Sequence, residues 1–192
     1  MDCKLSILIP WHTTRHKTQF KILMKSLDYQ CAPIQGIEIL DLPNRGEKSI
    51  GHYRQTLLEK AKGDYVVFID ADDRISIEYM ALVMNAINTG CDVVGLSGTM
   101  TTNGRKQETW EISKDLPYDQ VSVGKNLFHY RRYSNHLAPI KREIALEIGY
   151  APIKHGEDYD YAKRLHESGL CQTECIIPER IYHYDFWNNS RK

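Results

Sequence analysis

The sequence predicts an α/β domain with a mostly parallel central sheet flanked by helices, and three observations carry that reading. Through the first half, short apolar runs alternate with amphipathic stretches of helical period, the pattern of strands joined by helices. One run, Tyr65-Val66-Val67-Phe68-Ile69, ends abruptly in Asp70-Ala71-Asp72-Asp73. A buried strand reads this way where its carboxyl end opens into a cleft, the usual ligand edge of an open α/β sheet. The length, 192 residues, suits one domain with a substantial core.

The elements follow in order. Residues 4–10 (KLSILIP) form a short apolar run stopped by proline, a first strand. Residues 16–29 place Phe20, Leu23, Met24 and Leu27 on one helical face. Residues 37–40 are a second strand that ends at Asp41. Residues 49–62 are helical, with Ile50, Tyr53, Leu57 and Ala61 at helical spacing and Gly63 as the stop. After the acid-ended strand, residues 76–88 predict a helix with Ile77, Met80, Val83, Met84 and Ile87 inward. Residues 92–97 (DVVGLS) are a further strand. The second half changes character: Asn103-Gly104 between 98–102 and 106–112 is a strong β-hairpin signal. Residues 113–135 read as irregular, 141–149 and 158–168 as short helices, and 174–177 and 180–184 as two late strands. No internal repeat or low-complexity linker interrupts the chain.

Lys and Arg number 25, as do Asp and Glu. This balance gives no support to a protein that coats nucleic acid or anionic membrane non-specifically, and leaves room for a local basic patch. No apolar run approaches the ~20 residues of a membrane span. Met1-Asp2-Cys3-Lys4 leads into a strand, not a signal-peptide core. Five scattered cysteines read as reduced thiols, so the expected location is cytoplasmic. Cys171 and Cys175, near His166 and His183, match zinc spacing only loosely, and Cys175 opens a strand-like run.

Three carboxylates within four residues repel one another unless a cation arrives. Mg²⁺ or Mn²⁺, which prefer oxygen and bridge carboxylates to phosphates, suit that place. A solvated turn that caps the next helix is the plainer reading. Asp41, at the end of its strand, could accept hydrogen bonds from a base or ribose, or could cap a turn. Lys48-Ser49-Ile50-Gly51-His52-Tyr53-Arg54 opens a helix whose free N–H groups attract phosphate. There Lys48 and Arg54 add charge and Gly51 permits close approach. The order is not that of a P-loop, and Arg54 could equally be a salt-bridge partner for the acids. His155-Gly156-Glu157-Asp158-Tyr159-Asp160 opens another helix. Its acids could simply favour the helix dipole, or one could serve as a general base at a cleft.

The ordered blocks SILIP, Asp41, KSIGHYRQTLLEKAKGDYVVFIDADD, NHLAPIKREIALEIGY and GEDYDYAKRL resemble the family 2 glycosyltransferases of GT-A fold, over nearly the whole chain. They are also similar to small phage glycosyltransferases, some of which modify hydroxymethylated bases of DNA. The resemblance implies a single domain over 1–192, with a nucleotide-sugar half (1–97) and an acceptor half (98–192). It implies that Pro10, Asp41, Gly51 and Arg54 line the nucleotide pocket, with Lys48 near the phosphates. Asp70 and Asp72 would be the DXD pair, extended by Asp73. Asp72 and Asp73 would hold Mn²⁺ or Mg²⁺ and the ribose–diphosphate, with His183 in the position of a third metal ligand or packed in a late strand. Asp158 would be the catalytic base, with Glu157 orienting it or meeting the acceptor. The implied reaction is metal-dependent, inverting transfer of one sugar from a nucleoside diphosphate sugar, most commonly a UDP-sugar, to an acceptor hydroxyl. The acceptor could be a glycan, a lipid-linked sugar or a hydroxymethylated DNA base. Lys125, His129, Arg131, Arg132, His136, Lys141 and Arg142 form a locally basic stretch toward the acceptor side, and Trp110, Tyr130 and Tyr133 could wall a flipped base.

Two departures stand out. The second strand ends Asp41-Leu42-Pro43-Asn44-Arg45-Gly46, where the family commonly has paired aspartates followed by Gly and Ser. The chain also ends soon after the late strands, which disfavours a processive synthase. Nucleotidyl transfer is less suited, because Trp11-His12-Thr13-Thr14-Arg15 lacks a glycine-rich loop. A nucleotide-sugar-binding domain without turnover is the non-enzyme alternative.

Overall fold

A computed structural model describes residues 2–186. The chain forms β1 (Leu5–His12), α1 (Lys17–Cys31), β2 (Ile37–Asn44), α2 (Ile50–Lys60), β3 (Tyr65–Phe68), β4 (Arg74–Ile75), α3 (Tyr79–Ile87) and β5 (Val93–Thr102). It continues with β6 (Arg105–Ile112), β7 (Asp119–Gly124), β8 (Leu127–Arg132), β9 (Ile140–Lys141), α4 (Arg142–Ile148), α5 (Glu157–Ser168) and β10 (Glu174–Phe186). One mixed sheet runs β2-β1-β3-β9-β5-β6-β8-β7, with β10 beside β5 and β4.

The central ladders β2-β1-β3 and β5-β10 are parallel. Antiparallel pairing enters through the two-residue strands β4 and β9 and through the hairpins. The apolar runs of β1 and β3 are buried as α1, α2 and α3 pack over the sheet; Leu8, Val67, Leu27, Leu58 and Val83 are fully enclosed. Register decides where the site forms. Leu8 pairs with Phe68 and Ile9 with Asp41, so the carboxyl ends of β1, β2 and β3 emerge at one edge.

Several expected elements are longer than the sequence suggested. The first strand continues through Pro10 to His12, beyond its last pairing with β3 at Leu8. There β1 has a neighbour on one side only, and a missing N–H costs little. Pro43 is tolerated because β2 is an edge strand. The two late strands are one, β10, with register shifts around Pro178. The hairpin at Asn103-Gly104 is present, with φ of 53° and 68°, as a two-residue primed turn requires.

Residues 113–135, expected to be irregular, contain the β7–β8 hairpin. Val121 and Val123 face solvent on β7, so no alternation of buried and exposed residues marks that strand. Ile77 was expected inward but precedes α3 and is exposed.

Candidate active site

Beyond β3 the chain bends through Asp70–Asp73, closed by Asp73 N–H donating to Asp70 O at 3.1 Å. The Asp70 carboxylate is held from two sides. Arg54 Nη2 donates to Oδ1 at 2.9 Å and His136 Nε2 to Oδ2 at 3.2 Å. Burial alone would raise the Asp70 pKa, but Arg54 and His136 more than offset it and hold the carboxyl well below its usual range.

Arg54 projects from the buried face of α2 and lies 5.2 Å over the Phe68 ring. Its Nε donates to Glu157 Oε1 at 3.2 Å. Arg54 is 4% exposed and Glu157 6%. Burial opposes the charge on Arg54, yet Asp70 and Glu157 raise its pKa further above the usual arginine value. Arg54 thus fulfils the salt-bridge reading and also lines the smaller cavity described below.

Glu157 opens α5 directly after Gly156, whose φ is 77°. An added Cβ there would meet nothing within 4 Å, so backbone conformation favours glycine at this position. The turn aims neighbouring acids apart: Glu157 goes inward to Arg54, while Asp158 lines a cavity. Glu157 is therefore engaged by Arg54 and lines neither of the cavities described below.

Two cavities meet at Asp70. The smaller, about 240 Å³, lies between the ends of β1 and β3 and is lined by Pro10, Trp11, Asn44, Arg54, Asp70 and Asp72. The larger, about 540 Å³, is lined by Asp70, Asp73, Asn135, His136 and Asp158 on its polar side. Trp110, Tyr118, Tyr130, Tyr133, Tyr159 and Tyr184 form its aromatic walls. The three aromatic residues singled out from the sequence, Trp110, Tyr130 and Tyr133, thus share one cavity.

Asp72 reaches His16 Nδ1 at 3.6 Å. Burial and Asp70 raise its pKa, partly offset by His16. Asp73 is 2% exposed and accepts the Tyr182 hydroxyl at 2.7 Å. Burial, then Asp70, pushes its pKa well above the usual carboxyl range. This all-oxygen, mutually repelling set fits a hard divalent cation shared with substrate phosphates. Among the described residues no three His, Cys, Asp or Glu side chains form a closed metal cage.

Other expected residues stand elsewhere. His183 does not join Asp72 and Asp73: Nδ1 meets Thr99 Oγ1 at 2.6 Å and Nε2 meets Asp185 Oδ1 at 3.0 Å. Strand alternation puts Tyr182 toward Asp73 and His183 on the opposite face. Gly51 serves protein packing, because a Cβ there would lie 1.9 Å from Ala151 O. Asp41 is exposed and accepts Trp11 Nε1 at 2.7 Å. Trp11 stacks on Phe20 at 4.5 Å, so Asp41 reaches the small cavity through Trp11. Lys48 is exposed beside His52, 2.8 Å from Nε2, outside both cavities. The basic stretch is dispersed: His129, Arg131, His136 and Lys141 face Glu111, Asp119, Asp70 and Asp92, and Arg142 donates to Gly63 O.

Sequence reasoning gave Tyr182 and His16 no part in the site and named His136 only within the basic stretch toward the acceptor side. Tyr182 also accepts the Asp70 N–H at 3.1 Å. No local signal marks these residues; contacts far apart in sequence bring them to the acidic turn.

The model of glycosyl transferase family 2 matches residues 29–149, which include the acidic turn and stop before Glu157. Among solved structures the chain is similar to TarS of S. aureus, with a TM-score of 0.66 at 15% identity over 95% of this chain and 36% of that one. TarS 1–349 in complex with UDP-GlcNAc gives 0.65 at 15% identity, over 95% and 58% of the two chains. TarS 1–349 in complex with UDP gives 0.63 at 16% identity, over 95% and 60%. The chain thus spans about a third of the longer TarS chain. No curated protein matches it. The fold is GT-A, and the chain belongs to glycosyl transferase family 2.

Proposed function

We propose that this protein transfers one sugar, with inversion, from a nucleoside diphosphate sugar to an acceptor hydroxyl. The observation that carries the reading is the pair of cavities sharing Asp70, with Asp72 on the smaller and Asp158 on the larger. In this reading the molecule is one domain. Its first half (1–97) supplies most of the donor side, and its second half (98–192) most of the acceptor side. The smaller cavity takes the nucleotide, and the TarS complexes with UDP and UDP-GlcNAc support uridine as its base.

Asp72 and Asp73 would hold Mn²⁺ or Mg²⁺, which when bound neutralises charge on the departing diphosphate. Arg54 and His136 keep Asp70 ionised and still between donor and acceptor. Asp158 takes the proton of the acceptor hydroxyl as its oxygen bonds to the anomeric carbon. The bond from that carbon to the diphosphate breaks on the opposite side, so configuration inverts and no covalent sugar–enzyme intermediate forms. No described helix is long and apolar enough to cross a membrane, and cytoplasmic action is part of the proposal. The acceptor is a glycan, a lipid-linked sugar or a modified DNA base.

The test is calorimetric titration of UDP, GDP, CDP, ADP and dTDP, each with and without Mn²⁺, followed by a transfer assay with sugars of the nucleotide that binds. Metal-dependent binding of one nucleotide, with turnover lost in Asp158→Asn, is expected. Absence of nucleotide binding at millimolar concentration would end the proposal. Tight binding without turnover on any acceptor class would leave a binding domain instead.

A further inference from the structure

The larger cavity holds charges of opposite sign, which bears on the acceptor. Asp70, Asp73 and Asp158 line it, and so does Arg132 from β8. Arg132 differs from its neighbour. Arg131 donates twice to the Asp119 carboxylate, at 2.8 and 2.6 Å. Arg132 pairs with no carboxylate among the described residues. Its Nη1 donates instead to the backbone carbonyls of Asp119 and Arg131.

The Arg132 guanidinium lies 4.3 Å over the Tyr118 ring and 5.2 Å over that of Tyr130. Tyr130 is itself anchored, its hydroxyl donating to the buried Glu108 at 3.3 Å. A planar cation is thereby locked in place, with its Nε and Nη2 hydrogens left without protein partners among the described residues. Such a fork suits a phosphate or carboxylate. Leaving it without an oxyanion inside a filled cavity would be costly.

We propose that the larger cavity takes an acceptor that is itself anionic: a hydroxyl-bearing ring, packed on the tyrosine walls, whose phosphate or carboxylate is held by Arg132. The inference rests on the transfer reaction proposed above. Asp70 and Asp158 repel the anionic group, so only one orientation brings the hydroxyl to Asp158. A nucleic acid would call for several free cations along a track. Of the cations near it in sequence, Arg131 is engaged by Asp119, Lys141 by Asp92 and Arg142 by Gly63 O, while Lys125 is exposed and outside the cavity. One anionic group is the better match.

The experiment titrates glucose 6-phosphate, glucuronate, glucose and inorganic phosphate into the full chain, with and without UDP and Mn²⁺. At least one anionic sugar should bind tenfold or more tighter than glucose and than phosphate alone. The two anionic arms separate a phosphate site from a carboxylate site. Arg132→Gln should bring both anionic sugars down to the glucose level, and Arg132→Lys should retain part of the preference. UDP affinity and melting temperature should stay unchanged in both variants, which separates loss of the site from loss of fold. The inference is overturned if glucose matches both anionic sugars, if neither anionic sugar binds, or if Arg132→Gln keeps the preference. Arg132-dependent sugar binding in a protein that fails to bind UDP would support the anion site and overturn the donor assignment.

Discussion

Arg54 Nε and Glu157 Oε1 lie 3.2 Å apart although 103 residues separate them in the chain. The same guanidinium holds Asp70 at 2.9 Å. One buried cation therefore ties the end of β3 to the start of α5, the two places that carry the acidic residues of the site. Arg54→Met would strand two carboxylates around an apolar side chain. Breaking a buried pair this way lowers stability by about 3–5 kcal/mol, roughly 10 °C in Tm for a chain of this size. Glu157→Gln, which keeps a hydrogen-bond acceptor, should cost less. Thermal denaturation of the two variants checks the order.

Gly51 sets the same geometry by packing. A Cβ there would lie 1.9 Å from the backbone oxygen of Ala151, in the segment that leads to α5. Gly51→Ala should destabilise by about 1–3 kcal/mol, as overpacking does, and should lower transfer more than nucleotide binding. Melting curves and paired binding and turnover measurements on the variant test this.

Asp158 and Glu157 are adjacent in sequence but face different surroundings, Glu157 meeting Arg54 and Asp158 lining the larger cavity. Asp158→Asn should lower transfer by about 10²–10⁴-fold, the usual weight of a general base, while UDP affinity changes little. A steady-state assay with calorimetry separates the two effects. An Asp158→Asn protein with full turnover would remove the base assignment.

His183 and Asp72 part company in the same way. Both His183 nitrogens are engaged by Thr99 and Asp185, so His183→Ala should change Mn²⁺-dependent UDP affinity less than about threefold, about 0.6 kcal/mol. Asp72→Ala should weaken it at least tenfold, about 1.4 kcal/mol. Titrations at fixed Mn²⁺ decide between them.

Asp92 supplies a pH signature far from the site. Lys141 Nζ donates to it at 2.7 Å, and Gln172 and Thr173 donate their N–H groups at 2.9 and 2.8 Å. The bond from Lys141, with those from Thr173 and Gln172, lowers its pKa from 3.8 to about 2. A carboxyl depressed on folding adds stability above its unfolded pKa and loses that contribution as pH falls through its folded pKa. Wild type should therefore exceed Asp92→Asn in urea midpoint at pH 5, and the difference should shrink as pH falls from about 4 toward 2.

The acidic turn was legible because it is local: a β-branched run and a cluster of carboxylates share one short stretch. The same holds for the Asn103-Gly104 hairpin and the helical faces of α1 and α2. The β7–β8 hairpin was not legible, since Val121 and Val123 face solvent and leave no alternation to read. Tyr182 and His136 were not legible as partners of the acidic turn, because each meets Asp70 or Asp73 across a long sequence separation. The basic stretch illustrates the reverse case. Its residues are close in sequence, yet the fold gives most of them separate acidic partners.

The sequence by itself determined the alternation of strands and helices, the acid-ended third strand and the acids that open α5. Period, turn chemistry and charge density are properties of neighbouring residues. Tertiary structure decided where each acid faces. Sheet register set the ends of β1, β2 and β3 at one edge, Arg54 drew Asp70 and Glu157 inward, and the turn at Gly156 left Asp158 facing the larger cavity. Those outcomes depend on burial and on distances between remote segments, and neither exists until the chain has folded.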